Sequence, residues 1–167
     1  MEKELLFKKV TGEVIENVEK YVKDWTIENP YGQIIIGVDS QVHGRRLKYS
    51  IVIVMHYIDR MKVGHGCHLI LCDIWEKRNN KSQAEEMPAK LWREAEYALL
   101  TAQLVNGKDE FFKSRIEVHL DFNSEENKKS NMMYAAGIGL LNGYGFKALG
   151  KPFAKISSNC ADHFAKH

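Results

Sequence analysis

At 167 residues, with 44% hydrophobic and 28% charged residues, the chain has the length of one domain and enough apolar residues for a real core. Its net charge of +2 sets it apart from strongly basic or acidic chains whose totals alone dictate a partner, so local patches must decide. Three cysteines without framework spacing argue against a disulfide-stapled secreted fold and fit a reducing, cytoplasmic compartment. The start Met1-Glu2-Lys3-Glu4 lacks an apolar signal core, and no apolar stretch approaches the ~20 residues that span a bilayer.

Val14, Ile15, Val18, Tyr21, Val22 and Trp25 share one helical face, so residues 12 to 27 read as an amphipathic helix. Asn29-Pro30-Tyr31-Gly32 breaks it. Residues 33 to 39 are rich in Ile and Val without alternation, which predicts a strand buried on both faces and ending at Asp39. A turn over Gln41 to Arg45, a strand over Tyr49 to Tyr57, a turn over Asp59 to Lys62 and a strand over Gly66 to Trp75 follow. Such short connections favour an antiparallel meander.

Ser82-Gln83-Ala84-Glu85 resembles a capping box. Pro88 is tolerated only in a helix's first turn, so the next helix is expected from about Met87 to Val105, closed by Asn106-Gly107. Arg115 to Asp121 reads as a fourth strand, residues 130 to 142 as a helix and Gly143 to Lys151 as a loop with a short fifth strand. Ser157 to Lys166 reads as a terminal helix capped by Ser157 or Ser158. Three antiparallel strands followed by βαβ units imply an α/β fold: a five-stranded mixed sheet with helices on its faces.

Asp39 and Asp121 close two of the predicted strands. The carboxyl ends of parallel strands are where sites form in open sheets, and several converging carboxylates suit Mg²⁺ or Mn²⁺, which take hard oxygen ligands. A single Asp after a strand is more often a turn residue. Asp39 stands out because its strand is expected to be deeply buried and because Ser40 and Gln41 offer hydrogen-bonding groups beside it.

The motifs Gly37-Val38-Asp39-Ser40-Gln41, Glu94-Ala95-Glu96-Tyr97-Ala98-Leu99 and Val118-His119-Leu120-Asp121-Phe122-Asn123 stand in a fixed order. They are followed by a tail from Gly145-Phe146 through Lys151-Pro152 to Ser157-Ser158 and Ala161-Asp162. Together the chain resembles the YkuK-like family of the ribonuclease H-like superfamily over roughly residues 30 to 165. The resemblance implies a ribonuclease H-like sheet of order 3-2-1-4-5, with strands 1 to 3 antiparallel and helices on both faces. The whole of 1–167 would be one such domain, with residues 1–30 as an N-terminal helical extension.

By the same analogy Asp39, Glu96, Asp121 and Asp162 would form the acidic, metal-binding catalytic set. Glu94 is the alternative to Glu96: both flank the apolar face of their helix, and the motif from Glu96 onward matches the superfamily better. The function implied is a two-metal phosphodiesterase acting on RNA, DNA or a hybrid, using ions ~3.5–4 Å apart. The alternative is a non-catalytic nucleic-acid-binding or adaptor domain, since a shared fold does not fix an activity.

Ser40, Gln41, Asn123, Lys151, Lys155 and His163 are the candidate nucleic-acid contacts. The two lysines precede the predicted helix that carries Asp162, and His163 follows it. His119 shares a strand face with Asp121 and reads as a half-buried strand residue. Trp75 and Trp92 could stack on bases, although core packing is the commoner use of tryptophan. Cys67, His68 and Cys72 do not make a zinc site, because the two cysteines point to opposite faces of a strand. No G-x-x-x-x-G-K-[ST] phosphate loop is present.

Overall fold

A computed structural model describes residues 4–78, 83–108, 110–121 and 128–150 of the chain. Among them six strands form one mixed sheet: β1 (Lys8–Lys9), β2 (Gln33–His43), β3 (Arg46–Ile58), β4 (Gly64–Lys77), β5 (Ile116–Leu120) and β6 (Lys147–Gly150). The spatial order is β1-β4-β3-β2-β5-β6. β2, β3 and β4 form the expected antiparallel meander. β5 pairs parallel to β2, and β6 parallel to β5. The expected five-strand order is therefore present, with the two-residue β1 added at the free edge of β4.

Three helices of more than two turns accompany the sheet: α1 (Val18–Glu28), α2 (Gln83–Asn106) and α4 (Lys128–Gly143). A single helical turn, α3 (Glu110–Lys113), precedes β5. α1 starts later than its apolar spacing suggests, because the Asn17 side chain accepts from the Lys20 N–H and fixes the N-cap there. α2 begins at Gln83, a turn earlier than expected, and carries Pro88 inside it. The helix expected over residues 157 to 166 lies outside the described residues.

Alternation along the strands divides the sheet into two faces. Ile34, Ile36 and Val38 of β2 and Tyr49, Ile51, Ile53 and Met55 of β3 meet Val18, Val22 and Trp25 of α1, Ala95, Ala98 and Leu99 of α2 and Leu141 of α4 in one core. A smaller cluster of Ile35, Val52, Val54 and Leu71 lies on the opposite face. Burial of β2 on both sides explains its unbroken Ile-Val run. α1 belongs to the main core rather than standing apart from it, and Arg115 ties its end down: the guanidinium donates to the carbonyls of Thr26, Asn29 and Gly32.

One boundary matters for function. β2 does not stop at Asp39 but runs on to His43, and a tight turn with Gly44 at φ +59° returns the chain into β3. Gly44 supplies the left-handed conformation such a two-residue hairpin needs. Asp39 therefore sits inside a long strand, paired with Ser50. What ends beside it is β5, whose last partner on β2 is Val38, opposite Leu120.

Candidate functional site

The parallel register of β2 and β5 brings two of the expected carboxylates side by side. Val38 pairs with Leu120, so Asp39 and Asp121 are the next residues along two strands that run in the same direction about 4.8 Å apart. Both are partly buried, and Oδ1 of Asp121 is shielded from solvent.

The third carboxylate comes from α2, which packs across β2. It is Glu94. That side chain is 2% exposed and accepts a hydrogen bond from the Ser40 hydroxyl. Burial pushes its carboxyl up to about 8; the Ser40 bond opposes this, while the charges of Asp39 and Asp121 add to it. Lys90, one turn earlier on α2, works in the opposite direction and donates to the Ser40 carbonyl at 2.9 Å. Asp39, Glu94 and Asp121 thus feel one another electrostatically around the open end of β5, with Ser40 and Lys90 as supports.

Glu96 is elsewhere. It accepts from Trp92 Nε1 at 3.0 Å and from Arg93 at 3.0 Å. Arg93 also bridges to Glu76 at 2.9 Å, and the Tyr97 hydroxyl donates to the same Glu76 oxygen. Arg93 thus serves two carboxylates in a half-exposed network. Two residues along a helix turn a side chain through about 200°, which is why the neighbouring glutamates meet such different surroundings. Of the two helix glutamates, Glu94 lies against Ser40 and feels the charges of Asp39 and Asp121, whereas Glu96 pairs with Trp92 and Arg93. Spacing held the signal, since Glu94 lies i+3 from Leu91 and i−4 from Ala98, inside the buried stripe.

The other expected contacts divide. Ser40 is 2% exposed and its hydroxyl donates to Glu94. Gln41 is exposed. His119 is more buried than expected, at 4%, and its Nε2 lies 2.7 Å from Glu117. Cys67 is exposed and Cys72 buried, in keeping with opposite faces. Asn123, Lys151, Lys155, Asp162 and His163 lie outside the described residues.

Among the described residues no three His, Cys, Asp or Glu side chains are arranged as a ready coordination cage. Asp39, Glu94 and Asp121 are coupled electrostatically, with the aspartates and Glu94 approaching the sheet from opposite faces; as hard carboxylates they have the donor chemistry a divalent cation takes. Among the same residues no helix is long and apolar enough to cross a membrane.

A family model described as ribonuclease H-like matches residues 13–166. The chain belongs to the ribonuclease H-like family. Its mixed six-stranded sheet and the helices packed on it agree with that membership. No curated protein and no solved structure matches the chain.

Proposed function

We propose that this ribonuclease H-like protein is a metal-dependent phosphodiesterase acting on nucleic acid, and that within the superfamily it is a YkuK-like member. The observation that carries the reading is the parallel register that sets Asp39 and Asp121 side by side at the end of β5, with the buried carboxyl of Glu94 near enough to feel both charges. Like charges gathered in a partly desolvated place oppose folding unless a cation offsets them. Asp39, Glu94 and Asp121 would hold Mg²⁺ or Mn²⁺, and Asp162 is proposed to complete the set.

A bound divalent cation supplies charge stabilisation to a scissile phosphate and activates the attacking water. The chain's own residues prepare for it. Asp39 and Asp121 are fixed by adjacent parallel strands. Glu94 is held by the Ser40 hydroxyl, and Lys90 anchors the Ser40 carbonyl and so the strand that carries Asp39. For Glu94 to bind a cation, its carboxyl would have to lose its proton and exchange the Ser40 hydroxyl for the metal.

The test is cleavage of labelled RNA, DNA and hybrid duplexes with Mn²⁺ or Mg²⁺. Metal-dependent cleavage that is lost in Asp39→Asn, with the fold intact, is the expected result. A wild type that leaves all three substrates whole in both metals overturns the reading. It would leave the non-catalytic nucleic-acid-binding domain, which the cationic and aromatic side chains on β3 and β4 favour.

A further inference from the structure

The sheet face opposite α1, α2 and α4 changes character along its length. Around Ile35, Val52, Val54 and Leu71 it is apolar. The same alternation carried toward the β2–β3 turn places Asp39, Gln41 and His43 of β2 on this face, with Ser50, Lys48 and Arg46 of β3 and Asp73, Trp75 and Lys77 of β4. The register arranges them in three cross-strand rows: Asp39–Ser50–Asp73, then Gln41–Lys48–Trp75, then His43–Arg46–Lys77. Successive rows are about 7 Å apart.

Trp75 is 39% exposed in the middle of this surface. The Arg46 guanidinium lies 4.6 Å from its ring centroid and the Lys48 ammonium 5.9 Å. The His43 ring meets it edge-on at 5.3 Å. Lys48 is 4% exposed and pairs with Asp73 at 3.4 Å, and Asp73 accepts the Ser50 hydroxyl at 2.8 Å. The ring is thus seated on an ordered polar layer that begins in the row of Asp39. An exposed indole amid cations suits no part of a core. It suits a flat, electron-rich ligand with negative charge on either side.

We propose that this face is a single-stranded nucleic-acid track leading to Asp39, with a base stacked on Trp75 and flanking phosphates on Arg46 and Lys77. Stacking needs an unpaired base with an open face, which a duplex does not present, so a single strand is the occupant. Two strands across and one row along, Trp75 stands roughly 12 Å from Asp39, a short step along such a strand. The inference rests on nucleic acid being the partner, as proposed above, but not on its being cleaved.

The experiment is fluorescence anisotropy with labelled RNA and DNA single strands of about twelve nucleotides and with the matching duplexes. It is run in EDTA, so that no cation site and no cleavage contribute. Single strands are expected to bind more tightly than duplexes, with affinity falling as salt rises. Trp75→Ala should weaken binding by about 10- to 100-fold, Trp75→Phe should keep most of it, and Arg46→Ala should flatten the salt dependence.

Equal binding by the wild type and by a folded Trp75→Ala overturns the track, as does equal binding of duplex or preferential binding of polyglutamate. If Trp75→Ala misfolds, Trp75→Phe and Arg46→Ala decide. The track and the nuclease fail separately. Metal-dependent cleavage lost in Asp39→Asn, alongside unchanged affinity in Trp75→Ala, removes the track alone. Trp75-dependent binding without cleavage in any metal removes the nuclease alone.

Discussion

Two buried glutamates of this protein have opposite electrostatic fates. Glu117, on β5, is 7% exposed and well compensated: it meets His119 Nε2 at 2.7 Å, Lys147 Nζ at 2.5 Å and Gln33 Nε2 at 3.0 Å. The His119 bond, helped by Lys147, holds its carboxyl down at about 2 against the cost of burial. Glu94, on α2, is 2% exposed and has one hydroxyl as its bonded partner, and its carboxyl is pushed up to about 8 by burial and by the neighbouring charges of Asp39 and Asp121. A carboxylate that holds a fold together is given its counter-charges by the chain. Glu94, with the Ser40 hydroxyl and Lys90 one turn away, is given less, and that imbalance is what the proposed cation would offset.

The comparison breaks most visibly at Asp39. Asp39→Asn should lower metal-dependent cleavage by about 10³-fold, the scale of several kcal/mol of lost charge stabilisation, while thermal unfolding of the metal-free protein stays at or above that of the wild type. A variant that cleaves normally would separate Asp39 from the chemistry.

Glu94→Gln comes next, and its sign depends on pH. Because the folded-state value lies above the ordinary carboxylate range, the stability this group allows is fully present below pH ~4.3. It is lost as pH rises through about 8. The glutamine variant removes that loss. Metal-free Glu94→Gln should therefore exceed the wild type in stability at pH 9 by on the order of a few kcal/mol, with the gap closing toward pH 5, as followed by denaturant unfolding across pH. A variant less stable than the wild type at pH 9 would mean that the carboxylate is already compensated.

Glu117→Gln should do the reverse. Its depressed value contributes stability above pH ~4.3 that is lost as pH falls toward about 2. The variant should lose about 2–3 kcal/mol at neutral pH, and less as the solution is acidified, in the same unfolding series. The smallest effect belongs to Glu96→Gln. It touches only the partly exposed network with Arg93 and Trp92, so about 1 kcal/mol or less and unaltered metal response are expected in thermal melts.

Much of this was legible in the residues. The Ile-Val run of β2 announced a strand buried on both faces, the short turns announced the meander, and strand ends and family motifs drew attention to the two aspartates that the register sets side by side. The helical glutamate was harder. The motif pointed to Glu96, and only the packing of α2 on β2 shows that Glu94 reaches Ser40 while Glu96 turns to Arg93. The extension of β2 to His43 was hidden because Gln41 to Arg45 reads as a turn until β3 pairs with β2. The pairing of Trp75 with Arg46 and Lys48 depends on cross-strand register, which no single segment of sequence contains.

The central claim, that Asp39, Glu94 and Asp121 belong to one divalent-cation site, is met most directly by calorimetric titration of Mn²⁺ into the wild type, Glu94→Gln and Glu96→Gln. The account predicts binding by the wild type and by Glu96→Gln, and weak or no binding by Glu94→Gln. Binding that survives in Glu94→Gln but is lost in Glu96→Gln, or a wild type that takes up no Mn²⁺, would contradict it.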